Sequence, residues 1–280
     1  MRLSVNSNAN SGLNPAKAIA QQKLADYGDT RDFFPSLPFN EDDAALTHEF
    51  VLAFEQASET YTSHFLIYSS NITSRSGRYH INDCRACGVN LSIFEFRETA
   101  KKTPWSLEME DIGFAETGSM GMMSKDMRTI RTGRNRYSIL LQDSGSMGGA
   151  GWSLARLYAK TGGAFRKVFT THINYDFPIN MDHDNERVAW EASLKMDEAQ
   201  DKDFFDIVLD IDETQYTDTN THGKDNIIKY RTTCQRQYAF NGKEYAPVDF
   251  EKPRNTLAEG YPCSWESKRE RYEALIAEDF

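Results

Sequence analysis

The chain has 280 residues, a formal net charge of -10, 39% hydrophobic residues and 12% aromatic residues. This supply of large apolar side chains is sufficient for a core and excludes a chain that is disordered throughout. No apolar run approaches the roughly 20 residues that cross a bilayer, so no membrane span is expected. The polar N-terminus lacks the apolar region of a secretory signal, which indicates a cytoplasmic protein if it is native and a periplasmic or secreted one if a signal was removed.

The first part of the chain is expected to be helical. Residues 1–15 are rich in Asn and Ser and are interpreted as a mobile leader, and residues 16–62 as a helical segment that packs on a β domain. Within that segment, Ala16–Tyr27 is a short helix candidate. A second helix is predicted after Asn40, which suits an N-cap, because five apolar residues recur at helical spacing: Leu46, Phe50, Ala53, Phe54 and Ala57.

From residue 63 the hydrophobic period changes to two, which is typical of strands. Alternating segments lie around residues 64–68, 89–93, 137–141, 188–196 and 205–211, and Asn241-Gly242 predicts a hairpin turn with positive φ at both residues. The predicted fold is therefore mainly β, with antiparallel sheets in a sandwich or propeller-like arrangement over residues 63–263. Ser264 suits the N-cap of a short C-terminal helix over residues 264–280.

The negative charge is concentrated in one stretch. Between Asp182 and Asp218 there are thirteen acidic residues against three basic ones, an excess equal to the net charge of the chain. Asp206, Asp210 and Asp212 are predicted to lie on one side of a strand, next to Glu213. This acidic surface favours a basic protein partner and repels the phosphates of nucleic acid. The basic stretch at residues 125–136 carries no interleaved aromatic side chains for base stacking, which also disfavours nucleic acid.

Three carboxylates in the acidic stretch suggest calcium binding. Asp182, Asp184 and Glu186 alternate in a predicted loop, in the manner of a small calcium site, although the glycine and distal glutamate of an EF-hand loop are missing. A solvated sheet face is the alternative interpretation of these carboxylates.

The four cysteines allow three interpretations. Cys84 and Cys87, with Cys234 or Cys263 and a nearby histidine, have the ligand types of a zinc site. The same four residues form disulfides in an oxidising compartment and remain inert thiols in a reducing one.

The segment Leu140–Met147 is an apolar strand followed by Ser-Gly-Ser-Met, and it resembles the metal-ion-dependent adhesion site of von Willebrand A domains. Alignment on Ser144 and Ser146 places Gln142 where that family has its cation-binding aspartate. The main ligand is thus absent, and a glycine-rich turn is expected instead.

The leading functional hypothesis is a non-enzymatic partner-binding protein, of the accessory or bacterial immunity type, that docks a basic protein through Asp206, Asp210, Asp212 and Glu213. Two alternatives remain open. One is a hydrolase-type enzyme whose loop-built site includes His172 or His183, and the other is a structural module stabilised by calcium or zinc.

Overall fold

The computed structural model of the protein describes residues 13–27, 44–58, 60–74, 88–98, 105–118, 123–124, 126–147, 150–180, 183–198, 202–218 and 227–256. Within these ranges one helix, α1 (Asn14–Asp26), precedes two sheets. The four-stranded sheet contains, in spatial order, β1 (Ala44–Ala57), β2 (Thr62–Ser74), β3 (Val89–Glu98) and β4 (Trp105–Thr117). The eight-stranded sheet contains β5 (Asp126–Gly133), β6 (Arg136–Met147), β7 (Ala150–Thr161), β8 (Ala164–Asn180), β9 (His183–Asp197), β10 (Asp206–Thr217), β11 (Ile227–Phe240) and β12 (Tyr245–Thr256), again as neighbours in chain order.

The prediction of a mainly β protein with antiparallel sheets and an N-terminal helix is confirmed. All strand pairs whose register is described are antiparallel. The predicted C-terminal helix after Ser264 and most of the predicted leader lie outside the described residues. No helix among the described residues is long and apolar enough to cross a membrane.

The helix α1 contributes one narrow apolar face to the fold. Pro15 lies in its first turn, where backbone N–H groups form no intrahelical hydrogen bond, so the lack of an N–H in proline costs none. Ala16, Ala20 and Leu24 follow at intervals of four residues and are fully buried. Their spacing places them on one side of the helix, which packs on the four-stranded sheet.

The central strands of the four-stranded sheet are buried on both faces. Leu66 and Tyr68 of β2 belong to the cluster that includes α1, whereas Phe65 and Ile67 contact the opposite cluster. That second cluster contains Ile139 of β6 and further residues of β7 and β8. Alternate residues of one strand therefore serve two cores, and in this part of the chain two sheets pack face to face as in a sandwich.

The predicted second helix is wrong, because residues 44–57 form strand β1. Phe50 pairs with Tyr68 and Leu52 pairs with Ile67, so that Val51 is an extra residue in the ladder. This bulge reverses the alternation, and as a result Leu46, Phe50 and Ala53 all pack towards α1. Their spacing of four and three residues imitates the periodicity of a helix.

The predicted hairpin joins β11 to β12, but its turn differs from the prediction. The last strand pair is Phe240 with Tyr245, which leaves a four-residue connection. Asn241 Oδ1 accepts hydrogen bonds from the backbone N–H groups of Lys243 and Glu244, at 2.9 and 3.0 Å. Only Gly242 has a positive φ, of 98°. The asparagine thus stabilises the turn through its side chain rather than through a left-handed backbone.

The chain divides into two compact units. The first contains residues 1–131, 135–141 and 157–167, and the second contains residues 132–134, 142–156 and 168–280. Within the second unit, Phe205 N–H donates to Thr132 O at 2.7 Å and Arg134 N–H donates to Lys202 O at 3.3 Å. The end of β5 is therefore hydrogen-bonded to the segment that precedes β10.

The strand pair β6–β7 explains why a glycine occupies position 145. Ser144 Oγ and Ser153 Oγ lie 2.8 Å apart, and the indole of Trp152 covers Gly145 so closely that an added Cβ would overlap its six-membered ring. Residues 144–147, where a glycine-rich turn was expected, thus belong to strand β6. Trp152 of the neighbouring strand β7 packs across Gly145.

Substitution Gly145→Ala is expected to displace the Trp152 indole and to lower the free energy of unfolding by about 1–3 kcal/mol. Urea unfolding followed by tryptophan fluorescence measures both effects. The matched control is Gly151→Ala, where an added Cβ meets no heavy atom within 4 Å in the described part of the chain. Equal unfolding free energies and emission spectra for the two variants would contradict the assigned packing.

A second prediction concerns Asp111 of β4. Its Oδ2 accepts a hydrogen bond from Phe165 N–H at 2.8 Å, and burial raises its pKa although that bond and Arg166 act in the opposite direction. Because the carboxyl pKa is raised in the folded state, the folded protein still holds the proton at pH values where the unfolded chain has lost it. The free energy of unfolding therefore decreases as pH rises from the pKa of the unfolded chain through the pKa of the folded state. Asp111→Asn removes the titration and preserves an acceptor. We expect the variant to gain stability relative to the parent at pH 7 but not at pH 3, measured by urea unfolding at both pH values.

Candidate functional site

The acidic stretch forms part of one sheet surface in the second unit. We define the polar face as the side of β8–β11 that carries Asp176, Arg187, Glu191, Ser193, Lys195, Asp197, Asp206, Asp210, Asp212, Tyr216, Arg231, Gln235 and Gln237. In a strand these alternate positions share a side, while Ile207, Leu209 and Ile211 lie on the other side and are buried. The predicted common orientation of Asp206, Asp210 and Asp212 agrees with this register.

Two of these aspartates are neutralised within the molecule. Asp206 is only 4% exposed, and its oxygens accept hydrogen bonds from Lys202 Nζ and Gln237 Nε2, all at 3.0 Å. Asp210 accepts from Lys195 Nζ at 2.7 Å and from Gln235 Nε2 at 2.9 Å. A carboxylate that is held by a lysine and a glutamine presents little free negative charge to a partner.

The charge of Asp206 also affects a tyrosine. Burial raises the pKa of Tyr245, and Asp206 raises it further. The Tyr245 hydroxyl donates a hydrogen bond to Phe205 O at 3.0 Å. This phenol is therefore a neutral donor that anchors the segment preceding β10.

Asp212 and Glu191 are a like-charged pair on the polar face. They are directly opposite in the pairing of β9 with β10, and both are accessible to solvent. The Asp212 side chain is 46% exposed, and its nearest cation is Arg231 Nη2 at 3.7 Å. Like charges that face each other across a strand pair destabilise it, so a bound cation would relieve this repulsion.

Glu213 is not part of the polar face. It alternates to the opposite side of β10, is 3% exposed, and lies opposite Trp190 of β9 and Thr232 of β11, which are also buried. In this position Glu213 is not accessible to a partner on the polar face, and its predicted role in partner binding stays a prediction without structural support. Its position follows from the alternation of a strand, which separates Asp212 from its neighbour.

A network that the sequence did not indicate connects three strands of the polar face. Arg187 Nε donates to Asp176 Oδ1 at 2.9 Å, and the Tyr216 hydroxyl lies 3.1 and 3.0 Å from the two carboxylate oxygens. Burial raises the pKa of Tyr216, and the bond to Asp176 adds to this increase. Burial alone would lower the pKa of Arg187, but Asp176 outweighs it and raises the pKa. Arg187 and Asp176 thus form an ion pair, and the Tyr216 hydroxyl donates a hydrogen bond to the same carboxylate.

The calcium hypothesis receives no geometric support. Asp182 and the side chains of Asp184 and Glu186 lie outside the described residues, and the backbone of Asp184 and Glu186 belongs to strand β9 instead of the expected loop. Elsewhere, the described residues contain no group of three or more His, Cys, Asp or Glu placed to hold a metal ion.

The cysteine alternatives are narrowed by Cys234. It is 3% exposed in β11 and is disulfide-bonded. A sulfur in a disulfide does not provide a thiolate, so this state of Cys234 favours the disulfide interpretation over the zinc interpretation. Cys84, Cys87 and Cys263 lie outside the described residues.

The proposed histidines of an enzyme site lie apart in the secondary structure. His172 is in β8, where its ring centroid is 6.1 Å from that of Tyr175, and His183 is the first residue of β9. Ser144 and Ser146, the serines of the adhesion-site resemblance, lie in β6. The neighbouring Asp143 forms an ion pair with Arg156.

Comparisons with protein-family models, with curated proteins and with solved structures find no match to the chain. The functional argument therefore depends on the geometry of the described residues.

The contrast between Asp206 and Asp212 gives a prediction for stability. Asp206→Ala leaves Lys202 and Gln237 without their buried acceptor and is expected to lower the free energy of unfolding by about 1–3 kcal/mol. Asp212→Ala, on the same strand, is expected to change it by less than about 0.5 kcal/mol, because the side chain is exposed and repelled by Glu191. Urea unfolding of the two variants measures the difference, and equal losses would show that Asp206 is not stabilised as described.

Proposed function

We propose that the chain is a non-enzymatic partner-binding protein of accessory or immunity-like type, and that its polar face docks a basic protein partner. The observation that supports this proposal is the direct opposition of the exposed Glu191 and the half-exposed Asp212 in the pairing of β9 with β10. A lysine or arginine of a partner, placed between the two carboxylates, replaces repulsion with two attractive contacts.

The internal ion pairs restrict where docking occurs. Lys202 and Lys195 occupy the carboxylates of Asp206 and Asp210, and displacing either lysine would cost part of an existing interaction. Among the described residues, no lysine forms an ion pair with Glu191 or Asp212. The proposed docking site is therefore smaller than the acidic stretch and is centred on one strand pair.

Apolar side chains near the carboxylates are suited to contact the same partner. Ile228 is 60% exposed and lies opposite Tyr216, and Val248 is 41% exposed and lies opposite Gln237, so both share the polar face. The large exposed apolar side chains described in the second unit are aliphatic. Their burial on docking would contribute affinity, while the carboxylates would fix orientation.

The proposal is tested by reversing the two charges. The purified chain first captures partners from an extract of its native host, and the captured protein is then purified and its dissociation constant measured at two salt concentrations. Glu191→Lys with Asp212→Lys is expected to weaken binding by about tenfold or more and to reduce its salt dependence.

The control variant combines Asp126→Lys with Glu244→Lys. It makes the same change in net charge at exposed positions outside the polar face, and its affinity is expected to remain within about threefold of the parent. If both variants bind equally weakly, the change in net charge alone explains the effect and the docking site is not supported. If the Glu191/Asp212 variant binds as tightly as the parent, the docking site is refuted.

A further inference from the structure

The hairpin turn between β11 and β12 contains the only Asn-Gly pair of the sequence. Asn241 and Gly242 are both exposed. In such a pair the backbone nitrogen of the second residue can attack the side-chain carbonyl carbon of the asparagine, because both atoms belong to one chain and close a five-membered ring. A glycine in the second position has no Cβ to obstruct this approach. Whether the pair reacts depends on how the turn holds these atoms.

The turn leaves the attacking nitrogen open. Gly242 has a φ of 98°, and a Cβ added to it would meet no heavy atom of the described chain within 4 Å, its neighbours in the chain excepted. Among the described residues its N–H donates no hydrogen bond, whereas the Asn241 N–H donates to Glu244 O at 3.0 Å. The nitrogen that must lose its proton is therefore not committed to an acceptor, and water can reach it.

The carbonyl group that is attacked is held by two donors. Asn241 Oδ1 accepts hydrogen bonds from the backbone N–H groups of Lys243 and Glu244. Addition of a nitrogen to Cγ moves an electron pair onto Oδ1, and backbone donors stabilise the negative charge that develops on such an oxygen. No hydrogen bond in the described part of the chain holds Nδ2, which is the group that must leave.

We propose that Asn241 is a site of spontaneous deamidation in the folded protein. The Gly242 nitrogen loses its proton and forms a bond to Asn241 Cγ, the bond from Cγ to Nδ2 breaks, and the amide nitrogen takes up a proton and leaves as ammonia. The product is a cyclic imide. Water then adds to one of its two carbonyl carbons and opens the ring, which gives either an aspartate or an isoaspartate at this position. The only co-reactant is water, and no electrons are exchanged.

The two products differ in their effect on the hairpin. The aspartate keeps a side-chain oxygen that accepts the hydrogen bonds from Lys243 and Glu244, so the turn is preserved. The isoaspartate carries the main chain through its side-chain carbon and adds a methylene to the connection between Phe240 and Tyr245, the last pair of the ladder. We expect the isoaspartate to loosen this end of the hairpin.

Incubation of the full chain at pH 5 and at pH 8 tests the proposal. Chymotryptic digestion and mass spectrometry then measure the loss of the side-chain amide in each peptide, and chromatography separates aspartate from isoaspartate. Asn241 is expected to react faster at pH 8, because the attacking nitrogen must lose a proton. At that pH it is expected to react at least about tenfold faster than Asn135, an exposed turn residue with a φ of 66° that is followed by Arg136.

Two variants serve as controls, and urea unfolding verifies that each is folded. Asn241→Ser keeps a hydroxyl oxygen in the turn but has no carboxamide, and its peptide is expected to show no change in mass. Asn241→Asp is expected to have the urea midpoint of the parent, whereas the isoaspartate form, purified from the incubated parent, is expected to unfold at a lower urea concentration.

The proposal is overturned if Asn241 stays intact in the folded parent, or if it reacts no faster than Asn135. It is also overturned if aspartate forms without isoaspartate, because direct hydrolysis of the amide gives aspartate alone. An isoaspartate form with the urea midpoint of the parent would refute the expected effect on the hairpin.

Discussion

Burial of β2 and β3 on both faces is the constraint on which the first unit depends. The residues from Phe65 to Tyr68 are each at most 1% exposed, although neighbours in a strand point in opposite directions. Both faces of the sheet therefore need a cover, which α1 provides on one side and β6–β8 provide on the other. A strand in this position tolerates polar side chains only when they are paired.

Glu95 of β3 shows how that requirement is met. It is 4% exposed, accepts a hydrogen bond from Ser63 Oγ at 2.6 Å, and forms an ion pair with Lys160 of β7. The lysine reaches from the facing sheet, so a charge within the sandwich links its two layers. Such a pair contributes little net stability compared with apolar residues of the same shape, but it disfavours arrangements that leave Glu95 without its cation.

The sequence predicted the elements whose periodicity is undisturbed and failed where the ladder is irregular. The apolar run at residues 65–68 and the alternation at 205–211 identify strands directly, because their side chains follow the pleat. At β1 the extra residue Val51 converts a period of two into spacings of three and four, and no rule based on periodicity separates this from a helix. The Asn241 turn was located correctly, but its detailed geometry depends on side-chain hydrogen bonds.

For the candidate site, the sequence located the charge but not its pairing. The orientation of Asp206, Asp210 and Asp212 follows from alternation alone, and the same rule applied to Glu213 would have removed it from the site. Lys195 reaches Asp210 from the neighbouring strand β9, whereas Lys202 reaches Asp206 from the segment that precedes β10. Composition encodes neither contact. Asp176 and Tyr216 are 40 residues apart in the chain and meet only because β8, β9 and β10 are neighbours.

Because carboxylates of the polar face are paired within the molecule, the long-range field of the acidic stretch differs from the negative charge that it offers at contact distance. At distances well beyond an ion pair, the field depends on net charge, and the excess of ten acidic residues between Asp182 and Asp218 already includes the three basic residues of that stretch. Arg231, outside the stretch, compensates only one more. At contact distance, however, the paired carboxylates of Asp206 and Asp210 offer little to a partner. In the proposed docking, long-range attraction would involve the whole acidic surface, whereas specificity at contact would depend on Glu191 and Asp212. Added salt, with a screening length of about 8 Å, would then weaken the long-range attraction more than the contacts.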